Sequence, residues 1–323
     1  MRDRRLLIGS LALVVAASGF GMLGPVARLA YDAGFEPMAF VAWRATIGWL
    51  AIVAIVALTN RRGDALVNPL RLPRRDVLAL IVAGGAGIAL NISTFVAFDL
   101  TTVALVLLAF YTYPALVAVV AVALGHERLD GSRLVALGLA LGGMVLVVAG
   151  GLDPSTVARD GGASFNPVGV VLGLVAAIFQ TVFVTINRGR FATMPSVQVM
   201  SWVLLMMIAV CIPLAFVLGN RLDVPLHDGR ALGLALLAGI FGAGVPSVLF
   251  LIGIRAIGGT RAGILMLIEP LVGVTLAAIV LHEALLPIQV VGGAAILGAA
   301  LLLQRGGPGD RPEPGLVAVA EHT

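Results

Sequence analysis

YTYPALVAVVAVALGHERLDGSRLVALGLALGG, residues 111–143, and LIEPLVGVTLAAIVLHEALLPIQVVGGAAILGA, residues 267–299, are the two stretches that decide the fold. Laid over each other at an offset of 156, they put Pro114 on Pro270, His126-Glu127 on His282-Glu283, Leu129 on Leu285 and Leu141-Gly142 on Leu297-Gly298, without a gap. A chain rich in Ala, Leu and Gly matches itself by chance at single positions. A Pro and a His-Glu pair held in one register mark an internal repeat. The earlier parts of each half align less cleanly, with Ala16-Ala17 over Ala176-Ala177, Arg28 over Arg188 and Trp43 over Trp202 at offsets of 159 to 160.

Composition says where the repeat resides. Of the 323 residues, 60% are hydrophobic and 12% charged, against about 45–50% and about 25% in soluble domains. One core cannot hide that apolar excess from water, so lipid is the solvent for most of the chain. Apolar runs occur at Leu6–Ala30, Pro37–Thr59, Val77–Phe98, Thr102–Leu124 and Leu134–Gly151, and again at Val168–Ile186, Val197–Leu218, Leu232–Ile254, Gly259–Leu281 and Leu285–Leu303. Each approaches the roughly 20 residues that a spanning helix needs, and none alternates as a barrel strand would. The first run follows Arg2, Arg4 and Arg5 in the manner of a signal peptide, but it is too long for one and nine more runs follow. The expectation is an all-α integral membrane protein with ten transmembrane helices.

All 21 basic residues are arginines. With the N-terminus inside, sixteen fall on cytoplasmic segments and only Arg28, Arg159, Arg221 and Arg230 outside, Arg44 lying within a span. That asymmetry is the positive-inside pattern for two cytoplasmic termini, as in a bacterial inner membrane. It also accounts for the basic balance without nucleic acid as a partner. The lone Cys211 excludes an intrachain disulfide.

Ten helices in two copies make five per copy, an odd number, so the second copy enters the membrane from the opposite face. The organisation expected is a first five-helix repeat over 1–151, an outer linker over 152–166, a second repeat over 167–304 and a disordered cytoplasmic tail over 305–323. Inverted five-helix repeats are characteristic of secondary transporters, whose sites lie near the midplane at the repeat interface.

With these residues in hand, the chain resembles the drug/metabolite transporter superfamily, of the EamA type, over about residues 6–304. In that family's five-helix unit, the fourth helix carries a central Pro and ends in Glu followed shortly by Leu, and a Gly-rich fifth helix closes the unit. Here these are Pro114, Glu127, Leu129 and Gly138, Gly142, Gly143, then Pro270, Glu283, Leu285 and Gly292, Gly293, Gly298. Arg44 resembles an arginine often seen in the family's second helix. Two positions depart from the pattern: Gly19-Phe20-Gly21 where a Trp is common, and Val203 opposite Arg44 in the second half. The resemblance implies transport of a small organic metabolite or drug.

Polar groups inside apolar runs mark the candidate site, because a charge at mid-membrane depth is costly. Glu269, beside Pro270 and over Tyr113 of the first repeat, is a candidate proton carrier or substrate ligand. Arg44, which cannot be neutralised, must meet water, a carboxylate or an anion. The expectation is that Arg44 and Glu269 face one cavity and either pair or hold the two ends of a zwitterion, the bland alternatives being a buried structural acid and a snorkelling arginine. Asn91 and Ser247 occupy equivalent third-helix positions, and Gln180, Thr94, Tyr111 and Tyr113 extend a polar path. Pro114, Pro270 and Pro246 are expected hinges, with Gly84, Gly85 and Gly87 loosening the third helix and Gly239, Gly242 and Gly244 the eighth. Tight helix contact is expected at Gly138/Gly142, Gly169/Gly173 and Ala294/Gly298.

No Walker loop, nucleophile elbow or His-Glu-x-x-His site occurs, so no catalytic residue, cofactor or metal is assigned. The reading is a secondary transporter, an exporter rather than an importer, with protons as the candidate driving ion. Its partners are a small-molecule substrate and lipid, with a homodimer allowed. The alternatives are a passive facilitator or pore and a non-transporting membrane sensor.

Overall fold

The computed structural model describes residues 2–59, 72–101, 103–125, 131–150, 166–189, 191, 194–280 and 287–305. His126-Glu127, Leu129, His282-Glu283, Leu285 and the tail beyond 305 lie outside the described residues, as does nearly all of the 152–166 linker.

The described chain is helical, without a strand among the described residues. In order the helices are α1 (Arg2–Gly21), α2 (Leu23–Asp32), α3 (Pro37–Thr59), α4 (Arg74–Leu100), α5 (Val103–Phe110), α6 (Tyr113–Ala123) and α7 (Gly131–Gly150). The second half holds α8 (Pro167–Gly189), α9 (Ser196–Val217), α10 (Val224–His227), α11 (Gly229–Gly239), a π-helical turn (Ile240–Gly244), α12 (Val245–Ile257), α13 (Gly259–Met266), α14 (Ile268–Val280) and α15 (Pro287–Arg305).

Proline opens and glycine closes many of these elements. Pro37, Pro167 and Pro287 begin α3, α8 and α15, where a missing N–H costs nothing. Asp228 caps α11 by accepting from the Arg230 N–H at 2.8 Å, and the Asn166 carboxamide does the same for Val168 at 2.9 Å. Gly258 joins α12 to α13 with φ at +87°, a backbone that side-chain-bearing residues rarely adopt.

Among the described residues, six runs are long and apolar enough to cross a membrane: Leu6–Asp32, Pro37–Ala57, Arg74–Phe98, Pro167–Arg188, Ser196–Val217 and Gly229–Ile257. The other four apolar stretches of the sequence lie on α5–α6, α7, α13–α14 and α15, which are broken or carry shorter apolar cores. Large aliphatic side chains coat the outside, including Leu11, Val119, Val171 and Val290, and Phe216 and Val217 are 79% and 81% exposed. A water-soluble protein does not carry such a coat; a multi-pass membrane protein requires one.

The packing pattern repeats with the halves exchanged. Helix α1 lies along α12 as α8 lies along α4; α1 meets α13 and α14 as α8 meets α5 and α6; α3 meets α11 and the π turn as α9 meets α4. Two pairs join equivalent elements, α3 with α9 and α7 with α15. This is the relation expected of two copies about a two-fold axis.

Small residues set the close approaches, though not all the expected ones. A Cβ at Gly173 would lie 2.9 Å from both the Val106 carbonyl oxygen and Ala109 Cβ, and one at Gly169 would strike the Thr101 side chain. Gly138 and Gly142, by contrast, meet no other element and face outward; the α7–α15 contact uses Gly143, where a Cβ would lie 2.6 Å from the Gly292 carbonyl oxygen. The one-residue difference is a rotation of about 100° around the helix, which spacing alone does not choose. Gly298 stands at ordinary contact distance from Leu139.

Around the start of α3 and the segment before α10, two hydrogen bonds join the halves. The Arg221 N–H donates to Glu36 Oε2 at 2.7 Å, and Trp43 Nε1 donates to the Leu222 carbonyl at 2.9 Å. Arg221 also hydrogen-bonds the Asp223 carboxyl, which holds that group below its usual range.

Candidate functional site

Proline chemistry places the helix breaks. Pro114 has no N–H to offer the carbonyl four residues back, at Phe110, and α5 ends there. Pro270 leaves Met266 in the same position, and α13 ends there. The turns that follow, Tyr111–Thr112 and Leu267, are equivalent under the 156-residue offset. The expected mid-helix kinks at Pro114 and Pro270 are therefore full breaks, set just upstream of each proline. Thr112 supports its turn with a bond from Oγ1 to the Ala109 carbonyl at 2.7 Å.

Pro246 acts in the same way on the eighth apolar run. The π turn Ile240–Gly244 precedes it, and the Gly242 carbonyl is the one its missing N–H leaves open. The third run differs. Helix α4 runs unbroken from Arg74 to Leu100, and Gly84 and Gly87 receive Met206 and Val203 from α9 instead of bending their helix.

These discontinuities converge. Helices α1 and α2 meet at a turn at Met22, across which the Met22 N–H still donates to the Ser18 carbonyl at 3.3 Å and the Val26 N–H to the Met22 carbonyl at 3.1 Å, and the glycines before this turn touch the broken elements. A Cβ at Gly21 would lie 2.5 Å from the Glu269 carbonyl oxygen and 3.0 Å from Val272 Cβ; one at Gly19 would overlap the Phe241 carbonyl and the Pro246 ring. The departure at Gly19-Phe20-Gly21 thus has a packing reason.

Two polar centres flank the breaks. In the first, Arg44 on α3 is 5% exposed, so it does not snorkel. Its Nη1 donates to the Gly242 carbonyl at 3.3 Å, its Nη2 donates to Asn91 Oδ1, and its guanidinium lies 5.1 Å from the centroid of the Phe95 ring. Asn91 is fixed in turn by Nδ2 donating to the Gly87 carbonyl at 2.8 Å. Arg44 Nε is buried and makes no hydrogen bond. Cys211 of α9 is a near neighbour of the guanidinium.

The second centre is built on Glu269, in the first turn of α14, where the positive end of the helix dipole favours a carboxylate. It is partly exposed. Tyr111 is a polar neighbour of Glu269, although its buried hydroxyl makes no well-formed hydrogen bond. Tyr113 stands beside it, and its hydroxyl pairs with the Gln180 side chain of α8. Phe110, Tyr111 and Tyr113 form a tilted aromatic group with centroids 5.1 to 6.5 Å apart.

No ion pair links Arg44 to Glu269. The expected pairing is replaced by two separate centres, because Asn91, Gly242 and Phe95 engage the guanidinium. Asn91 joins the Arg44 centre; Tyr111, Tyr113 and Gln180 join that of Glu269. Thr94 spends its hydroxyl on the Leu90 carbonyl at 2.8 Å. Ser247 is partly exposed on α12, next to Pro246. Phe95, Phe110 and the Gly242 carbonyl were not sequence candidates; only the last carried a signal, through Pro246. Among the described residues, no group of three or more His, Cys, Asp or Glu gathers as a metal site.

The model of the EamA-like transporter family matches this chain twice, over residues 7–149 and 167–305. An uncharacterized transporter of Archaeoglobus fulgidus is 28% identical over 298 residues, covering 92% of this chain and 96% of that one. A solved crystal structure superposes with a TM-score of 0.73 at 21% identity, covering 94% of this chain and 98% of the other; at that identity the likeness is one of fold.

Proposed function

The chain belongs to the EamA-like transporter family, and we propose that it is a secondary active transporter that exports a small organic metabolite by alternating access. The observation that carries this is the meeting of broken helices at two polar centres, one basic and one acidic. Ten crossings in two inverted repeats, with both termini in the cytoplasm of an inner membrane, agree with the arginine count and with packing that repeats when the halves are exchanged. In this reading Arg44 holds the anionic end of the substrate. Glu269 holds a cationic end or carries the coupling proton, and Asn91, Tyr113 and Gln180 line the path between.

The chemistry asked of the chain is modest. Breaks at Tyr111–Thr112 and Leu267 give each half a rigid inner and outer arm that can rock about the centre. A proton crossing 100 mV supplies about 2.3 kcal/mol, enough to bias that rocking. The test is flux in proteoliposomes. Arg44→Ala and Glu269→Gln should each reduce transport at least about tenfold, the loss of one charged contact, and Glu269→Gln should also remove its dependence on a pH gradient. Unchanged flux and pH dependence in both variants would overturn the assignment.

A further inference from the structure

Arg44 does two jobs in the geometry, and only one of them concerns a substrate. Pro246 deprives the Gly242 carbonyl of its α-helical donor, and Arg44 Nη1 supplies one at 3.3 Å. The same guanidinium holds Asn91 through Nη2. Arg44 and Asn91 belong to the first half and Gly242 to the second, so one side chain bolts a helix irregularity of one half to two helices of the other. The Nε donor is left over, buried and unused, in a residue that is 5% exposed.

From this geometry we infer that Asn91 and the Gly242 carbonyl are stand-in ligands that hold Arg44 until an anion displaces them. A carboxylate takes a guanidinium most favourably through two parallel N–H donors, one of them Nε. An anion that takes Nε and an adjacent Nη turns the guanidinium toward itself, and in the proposal that turn draws Nη1 off the Gly242 carbonyl, the longer of its two bonds. Binding then withdraws the donor from the π turn, and the α11–α12 run is free to shift against α3 and α4. The anion's binding energy is thereby converted into movement between the halves. Pro246 is the positioning residue of the device, since its ring creates the carbonyl that Arg44 must satisfy. The proposal rests on the reading of Arg44 as the anion-binding residue.

An equilibrium test in detergent separates this device from transport itself. The first arm is a thermal-unfolding cycle of wild type, Arg44→Gln, Pro246→Ala and the double variant. Alanine restores an N–H to the Gly242 carbonyl, so Arg44→Gln should cost clearly less melting temperature in the Pro246→Ala background; additive costs would overturn the bolt. The second arm measures stabilisation by acetate at constant ionic strength, with chloride as control. Pro246→Ala, and independently Asn91→Ala should the first fold poorly, should bind acetate more tightly, on the order of tenfold for one competing charged hydrogen bond removed. Equal or weaker acetate binding in the variants would overturn the displacement. Failure of flux with a positive cycle would sink the transport reading and leave the bolt standing.

Discussion

Arg44 and Glu269 identify themselves by elimination: few ionisable groups lie deep in an apolar run, and lipid leaves each of them only protein, water or ligand to meet. Their partners were far less legible. Phe95 and Cys211 reach Arg44 from other helices, and nothing in either residue's local sequence announces it. The Gly242 carbonyl could have been read, since a proline always strands the carbonyl four residues back. Glycine 21 tests the packing at this scale. A Cβ there meets backbone, the Glu269 carbonyl oxygen at 2.5 Å, which cannot swing away as a side chain can. Gly21→Val should destabilise by about 1–3 kcal/mol, as overpacking does, while Gly24→Val, where nothing lies within 4 Å, should be far milder. Equal melting temperatures for the two would show that α1 does not press on α14.

At the scale of elements, Pro114 and Pro270 were legible as points of weakness, and the structure sharpens them from kinks into breaks. The glycines of the third apolar run misled for a physical reason. A glycine in a membrane helix removes a side chain without removing a hydrogen bond, so Gly84 and Gly87 make room for Met206 and Val203 while α4 stays continuous. Only a missing donor breaks a helix that has no water to repair it. Pro270→Ala returns that donor to Met266 and should fuse α13 to α14. The expected outcome is an unchanged or higher melting temperature together with flux lowered about tenfold or more, a trade of function against stability. A variant that transports normally would remove the break from the mechanism.

For the whole molecule, the register shared by residues 111–143 and 267–299 carried most of the fold, because a repeat constrains topology as well as composition. Two equivalent units must pack in exchangeable pairs, and α1 with α12 against α8 with α4 is such a pair. Which glycine faces which helix was not legible, as Gly143 in place of Gly138 and Gly142 illustrates; that choice depends on helix rotation, which composition does not encode. The membrane-embedded family, the all-helical fold and the two deep charges could all be read. The separation of those charges into two centres could not, since it follows from which neighbours reach each one first.

The central claim is that gradient energy drives a metabolite through the paired centres. The measurement that addresses it most directly is mass-spectrometric analysis of proteoliposomes given an isotope-labelled metabolite extract and an imposed pH gradient. Accumulation of specific compounds above the external concentration, abolished by an uncoupler and by Glu269→Gln, is the result expected. Equilibration of many solutes to the external concentration, indifferent to both, would contradict it and make the protein a pore.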